Sequence, residues 1–396
     1  MLRYLTAGES HGQELAAILE GMPAGVPVTE ESIAAELARR QRGYGRGGRM
    51  AIEQDRAVIA SGVRHGLTLG SPICLRIDNR DWPNWEREMS PAPPEETFIS
   101  ARRVEVPRPG HADLAGAVKY GHGDMRNVLE RASARETAAR VAVGAVCRAL
   151  LSRVGITVAS MVVRIGDACW RPPATWTPEQ MSAADQSDVR CPQDVTAARM
   201  RQFIDRAAAA GDTAGGVFEV RALGVPVGLG SHVASDRRLD GRLAGALMAM
   251  QAIKGVEIGM GFEVAARPGS EVHDEILPSC GRWPFSRPTN NAGGLEGGIS
   301  NGEPIVVRAA MKPIPTLTRP LRSAELATLS PVQAHAERSD VCAVPAAAVV
   351  AEAVVCFVLC EAVLEKFGGD HLSDVVGTLE QYRSARAGLW GAADAS

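Results

Sequence analysis

The sequence predicts an α+β fold. Helix-like and strand-like segments mix along the chain without a regular strand–helix alternation, which argues against a doubly wound parallel sheet. The apolar run from Pro345 to Phe367, interrupted by Glu352 and Glu361, is hydrophobic nearly all round. It reads as a central buried helix rather than a membrane span. No repeat of 20–50 residues is visible, which sets aside solenoids and propellers.

The elements follow in order. Residues 2–20 read as a strand, a Gly/Ser/His turn and a second apolar segment. Thr29 precedes Glu30 and Glu31, and Ile33 and Leu37 follow at i,i+4. That spacing predicts a capped helix ending at Arg39-Arg40. The loop Gly43-Tyr44-Gly45-Arg46-Gly47-Gly48-Arg49 comes next, and residues 50–80 alternate roughly as strands do. Residues 82–98, rich in Pro, Trp and Glu, read as a surface loop. Ser133 stands three residues before Glu136, a capping-box spacing. Behind it Val143, Val146 and Leu150 repeat helically up to Gly155. Residues 170–200 are polar with several prolines and read as an excursion. Leu239, Leu243, Leu247 and Met250 predict another helix, and residues 290–302 are rich in Gly and Asn. The sequence alone sets no domain boundary, and residues 1–396 are expected to form a single domain.

Composition narrows the function. The chain has 396 residues, a net charge of −3 and 22% charged residues, an ordinary balance for a globular protein and not that of a nucleic-acid binder. Four of the basic residues are lysines: Lys119, Lys254, Lys312 and Lys366. The eight cysteines include no CxxC pair, which fits neither a zinc site nor a small disulfide scaffold. Cys147, Cys356 and Cys360 sit in apolar runs and read as buried thiols. The polar stretch soon after Met1 does not look like a signal peptide, so a cytoplasmic location is expected.

Several constellations carry chemistry. In Ala7-Gly8-Glu9-Ser10-His11-Gly12 the histidine beside glycine at a strand end is placed to transfer a proton; a plain polar turn fits the pattern equally. In Pro107-Arg108-Pro109-Gly110-His111-Ala112-Asp113 the prolines stiffen the backbone before His111, and Asp113 could orient its ring. A turn with a solvated histidine is the alternative. Arg39, Arg40, Arg42, Arg46 and Arg49 fall within eleven residues, interleaved with glycines. Guanidinium forks match phosphate and carboxylate geometry; the bland alternative is a flexible basic loop. It is not a dinucleotide fingerprint, because no strand–turn–helix unit surrounds it. Arg131 and Arg135 bracket Ser133, a helix start that would attract anions or be an ordinary cap. Lys312-Pro313-Ile314-Pro315-Thr316 is rigid and could equally be a stiff surface connection. Asp340 precedes the C-terminal helix, where a helix cap is the commoner reading. Together these residues suggest a deep pocket for a small, multiply anionic molecule, and they name no reaction.

The same residues closely resemble the chorismate synthase family. Ala7 to Gly12, Gln41 to Met50, Arg108 to Asp113 and Arg131 to Thr137 resemble its signature blocks. Gln251 to Gly255, Gly293 to Gly302, Lys312 to Thr316 and Arg338 to Asp340 continue the match to about residue 368. Single blocks are weak; eight in order are specific. The resemblance implies a sandwich of antiparallel sheets around a helical core, assembled as a homotetramer. It implies loss of phosphate from 5-enolpyruvylshikimate 3-phosphate by an anti 1,4-elimination that gives chorismate, a step toward the aromatic amino acids. Reduced FMN is required without net oxidation, lending an electron and recovering it; NADPH is the possible reductant. By the same resemblance His111 protonates the departing phosphate, and His11 protonates or holds the reduced flavin. Asp340 accepts a proton by way of the flavin, with Ser10 and Ser133 in the relay. Arg49 and Arg135 hold substrate anions, and Arg40 and Arg46 match positions for pyridine nucleotide or substrate. FMN would contact Arg131, Ala132, Ser133, Gln251, Ala252, Gly297, Lys312, Pro313, Ile314, Pro315, Thr316 and Arg338. This sequence departs from many relatives at Asn127 to Ser133, where Ala132 replaces a serine and Glu130 adds a negative charge near the flavin site.

Two other functions compete. One is an NAD(P)H-dependent flavin reductase, which steady NADPH consumption in the presence of FMN would reveal. The other is a non-catalytic binder of anions or nucleic acid, which a salt-steep affinity for DNA would reveal. Few aromatic residues, 4% of the chain, argue against a stacking platform for single strands. No nucleic-acid or membrane partner is expected.

Overall fold

A computed structural model describes residues 1–47, 54–279, 283–335 and 339–387. The chain opens with strands β1 (Arg3–Ala7) and β2 (Glu14–Glu20), joined by the Gly/Ser/His turn. Helix α1 (Glu30–Gln41) follows, with Thr29 and Ser32 closing a reciprocal capping box and Ile33 and Leu37 buried beneath it. The strands expected in 50–80 include β3 (Ala57–Ser61) and β4 (Ile73–Asp78). These four make one antiparallel sheet in the order β1-β2-β4-β3. Leu15, Ala17, Leu19, Ile73, Leu75 and Ile77 point inward, while Ile18 and Arg76 point out. That is the period-two alternation of a sheet with one covered face.

Helices α2 (Asp113–Tyr120), α3 (Arg126–Ala132) and α4 (Thr137–Arg153) come next. The second antiparallel sheet is built from β5 (Thr157–Ile165), β6 (Ala168–Cys169), β7 (Gly216–Leu223), β8 (Ile253–Ile258) and β9 (Ile305–Met311), in the order β8-β9-β7-β5-β6. The polar excursion folds into α5 (Pro178–Gln186) and α6 (Asp194–Ala209). Helix α7 (Leu239–Met248) carries the repeated leucines, and α8 (Val344–Phe367) is the apolar C-terminal helix, followed by α9 (Leu372–Ala387).

Helix α4 packs on β2 and β4 of the first sheet, α8 packs on β5 and β7 of the second, and the two helices pack on each other. The α8 segment is long and apolar enough to cross a bilayer by composition, but here its faces are covered by protein. Gly144 lets α4 and α8 approach: a Cβ there would lie 2.3 Å from the Cβ of Ala353. We expect Gly144→Val to destabilise the chain by about 3 kcal/mol, since overpacking forces backbones apart. Thermal unfolding checks this, and an unchanged midpoint would contradict the close packing.

Glu352, in the middle of α8, is fully buried. Its carboxylate accepts from Ser160 Oγ (2.6 Å), Arg190 Nη2 (2.9 Å), Arg148 Nη2 (2.6 Å) and both Nη atoms of Arg39 (2.9 and 3.0 Å). A charge in an apolar helix persists only when paired and hydrogen-bonded, and this one ties α8 to α1, α4 and β5.

Candidate active site

The turn between β1 and β2 is held from two sides. The side-chain nitrogen of Asn79 donates to the carbonyls of Glu9 (3.2 Å) and Gly12 (2.7 Å), and Ser10 N–H donates to the Glu130 carbonyl (3.0 Å). Ser10 is buried. His11 Nδ1 lies 2.9 and 3.0 Å from the two oxygens of Glu130, and the ring stacks on Trp85 with centroids 3.8 Å apart. Residues 82–98 are mostly exposed, as their Pro/Glu content signals, and within them Trp85 is buried against His11.

His111 sits just before α2. Its Nδ1 is bonded to Asp113 Oδ1, and Arg108 reaches Asp113 through Nε (2.8 Å) and Nη2 (3.1 Å). Burial pushes the Asp113 carboxyl up, but the hydrogen bonds from His111 and Arg108 outweigh it and hold the group below the usual carboxylate range. An ionised carboxylate only accepts, so His111 carries its proton on Nδ1 and its reactive edge is Nε2. The solvated-histidine alternative therefore does not describe this turn.

Arg40 and Arg135 meet on the buried carboxylate of Asp55. Arg135 donates to Asn79 Oδ1 (2.8 Å) and is ion-paired with Asp55. Arg40 is buried, with its three side-chain nitrogens on Thr137, Asp55 and the Ala134 carbonyl. Burial, aided by Arg46 and Arg135 and opposed by Asp55 and Asp340, lowers its guanidinium to about 10. Arg40 thus feels Arg46, Arg135 and Asp340 as near neighbours.

Asp340 does not cap α8, whose N-cap is Ala343. It accepts from Gly47 N–H (2.6 Å) and pairs with Arg46 Nη1 (3.1 Å). The excursion now has a structural part. Tyr44 N–H donates to the Asp188 carbonyl (2.8 Å), and Tyr44 O–H donates to Asp205 Oδ1 (2.8 Å), so the segment around α5 and α6 buttresses the arginine loop.

Ser133 does not form the expected capping box. Its hydroxyl accepts from Arg135 N–H (3.3 Å) at the start of a single 3₁₀ turn. Glu136 is drawn away by Thr6 Oγ1 (2.9 Å), Arg140 Nε (3.0 Å) and Gln251 Nε2 (3.3 Å). Arg131 donates to the carbonyls of Gly8 (3.0 Å) and Thr6 (2.9 Å), and Ala132 ends α3 beside it. Ala252 follows Gln251 at φ 66°, and its carbonyl accepts from Lys312 N–H (3.0 Å). Lys312 Nζ in turn donates to the Gly110 carbonyl, and Arg108 Nη1 donates to Thr316 Oγ1 (3.2 Å). Pro313 and Pro315 stiffen this strap, whose Ile314 carbonyl accepts from Thr213 Oγ1 (2.7 Å). A continuous chain of contacts thus joins His11, Arg131, Ser133, Gln251, Lys312 and His111.

Gly297 stands apart. It turns a hairpin at the Ile258 end of the β8–β9 pair, whereas Gln251 and Lys312 lie at its Ile253 end. Arg49 and Arg338 lie outside the described residues. Sequence reasoning missed Trp85, Asp55, Asn79 and Tyr44. An acidic residue soon after an arginine loop was the one available signal, for Asp55.

The model of the family described as chorismate synthase matches residues 2–364. A chorismate synthase of Desulforudis audaxviator is 59% identical over 392 residues, covering 98% of this chain and 100% of its own length. One of Moorella thermoacetica is 60% identical over 383 residues, covering 97% and 98%. A crystal structure of a chorismate synthase superposes with a TM-score of 0.79 at 47% identity, covering 98% of both chains. On the ordered motifs, the shared fold and these relatives, the chain belongs to the chorismate synthase family.

Proposed function

We propose that this chain, as one catalytic domain over residues 1–396, releases phosphate from 5-enolpyruvylshikimate 3-phosphate to form chorismate. The observation that carries the reading is the pair of imidazoles, His11 and His111. Each is held at Nδ1 by a buried carboxylate, and each carboxylate is itself paired with an arginine, Arg126 on Glu130 and Arg108 on Asp113. A leaving phosphate needs positive charge and a proton. Arg135 and Arg46 supply the charge, with Arg40 behind them; Arg49 completes the substrate set. As the imidazolium, with Asp113 holding Nδ1–H and balancing the charge, His111 delivers its Nε2 proton to the departing phosphate. Asp340, held by Gly47 N–H, is the carboxylate that accepts the proton lost from carbon, with Ser10 and Ser133 as hydroxyl relays.

The family implies a reduced flavin, and we assign it as FMN. The residues fit. Gln251 Oε1 is buried with no hydrogen-bond partner among the described residues, an acceptor a polar ring would satisfy. Ala252 is held in the left-handed region that side chains rarely adopt. Lys312 and Arg131 bring cations suited to a phosphate. Ala132, Ser133 and the strap from Pro313 to Thr316 complete this face, with Gly297 and Arg338 assigned from the family pattern alone. Bound flavin supplies reversible one-electron chemistry, with NADPH as the proposed reductant. Removing the Lys312 ammonium is expected to weaken FMN binding about tenfold or more, the loss of a charge-assisted contact. Fluorescence titration of Lys312→Ala with FMN checks this; wild-type affinity would remove Lys312 from the flavin site.

The architecture is read as antiparallel sheets sandwiching a helical core, supported by the packing of α4 and α8 between the two sheets. Assembly as a homotetramer is supported by exposed Leu5, Ile18 and Val58 on the outer face of the first sheet, an apolar surface that association would cover. Free thiols at the described cysteines suit a reducing cytoplasm. Phosphate release that depends on reduced FMN tests the whole reading. NADPH oxidation without phosphate release would favour the flavin reductase instead.

A further inference from the structure

We propose that Glu130 is a positioning residue for the reaction: its carboxylate grips His11 at Nδ1 and so presents Nε2 as the working nitrogen. The proposal rests on the reading of His11 as a catalytic group. Glu130 is buried on α3. Beside its two contacts with Nδ1, Glu130 Oε2 accepts the backbone N–H of His11 (2.8 Å), and Oε1 accepts from Arg126 Nη1 (3.2 Å). One carboxylate therefore fixes both the main chain and the ring of the same residue.

The charge state follows from these partners. Burial pushes the Glu130 carboxyl up, but hydrogen bonds and charge from His11 and Arg126 bring it below its ordinary value. An ionised carboxylate has no proton to give, so the hydrogen between the two groups sits on Nδ1. Rotating the ring by half a turn would place a carbon against Glu130 and lose the bond. Trp85 covers a face of the ring and is itself anchored by Nε1 to Asp81 Oδ2 (2.9 Å). Ring plane and ring edge are thus set by different residues. The negative charge that looked out of place near a flavin site is balanced by Arg126 and His11 and has a task.

The test is Glu130→Gln in the full chain, read by ring ¹⁵N NMR and by steady-state kinetics with reduced FMN. In the wild type the neutral His11 ring is expected as the Nδ1–H tautomer. Glu130→Gln should populate the other tautomer and lower kcat roughly tenfold to a hundredfold, with KM within about twofold, as expected for misplaced chemistry rather than lost binding. Glu130→Asp, which keeps the charge, should recover part of the rate. In a His11→Ala background Glu130→Gln should cost nothing further. An unchanged tautomer in Glu130→Gln, or an equal added loss in the His11→Ala background, would overturn the proposal. If His11→Ala alone turns over like the wild type, the catalytic reading of His11 fails, while the tautomer still decides whether Glu130 sets the ring. Should the glutamine variant fail to fold, Glu130→Asp carries the same NMR measurement: the Nδ1–H tautomer with part of the wild-type kcat supports the role of the charge, and loss of that tautomer with unchanged kcat overturns it.

Discussion

Replacing His111 by alanine is expected to lower turnover by about 10²-fold or more while leaving FMN bound, the range of a lost general acid. The expectation follows from the turn itself. Asp113 is buried at the start of α2 and kept ionised by Arg108 and His111. Asp113 therefore holds Nδ1–H and balances the imidazolium, whose Nε2–H is the proposed donor to the phosphate oxygen. Alanine removes the proton source but leaves Arg108 on Asp113 and Thr316, so the strap from Lys312 to Thr316 keeps its support. Single-turnover phosphate release and a parallel FMN titration separate the two effects. Unchanged turnover would take His111 out of the chemistry.

Glu352→Ala is the second large effect, and it falls on stability. Three guanidinium groups, from Arg39, Arg148 and Arg190, converge on this carboxylate. Removing it strands buried positive charge and is expected to cost about 3–5 kcal/mol. The same group predicts acid sensitivity. Burial pushes the Glu352 carboxyl up, but Arg39, Arg190 and Arg148 prevail and bring it down to about 2 from an ordinary 4.5. Its stabilisation is therefore fully present above the unfolded value and is lost as pH falls through the window between them. Unfolding midpoints measured across that window should fall in the wild type, and this component should vanish in Glu352→Gln. A variant as stable as the wild type at neutral pH would contradict the network.

Much of the fold was legible because hydrophobic period and caps are local signals. Thr29, Ile33 and Leu37 marked α1, and the unbroken apolar run marked α8. The readings that failed were decided by partners distant in sequence. Glu136 has capping-box spacing after Ser133, yet Thr6 and Gln251 claim its carboxylate. Asp340 has the spacing of a cap, yet Gly47 and Arg46 claim it. Residues 170–200 looked like a bare excursion because nothing local shows that Asp188 and Asp205 meet Tyr44. Glu130 looked like a liability for the same reason. His11 and His111 were visible as candidates because glycine and proline beside a histidine are local signs of a shaped turn. Their carboxylate partners differ in this respect, Asp113 lying two residues from its histidine and Glu130 more than a hundred.

The chain is expected to eliminate phosphate with reduced flavin and without net oxidation. The direct measurement is anaerobic: mix the protein with reduced FMN and 5-enolpyruvylshikimate 3-phosphate, and follow phosphate and chorismate absorbance together. Equal molar growth of both, absent with oxidised FMN and with the flavin still reduced at the end, is the expected result. No phosphate release while FMN is demonstrably bound would contradict the claim and leave a flavin protein of different chemistry.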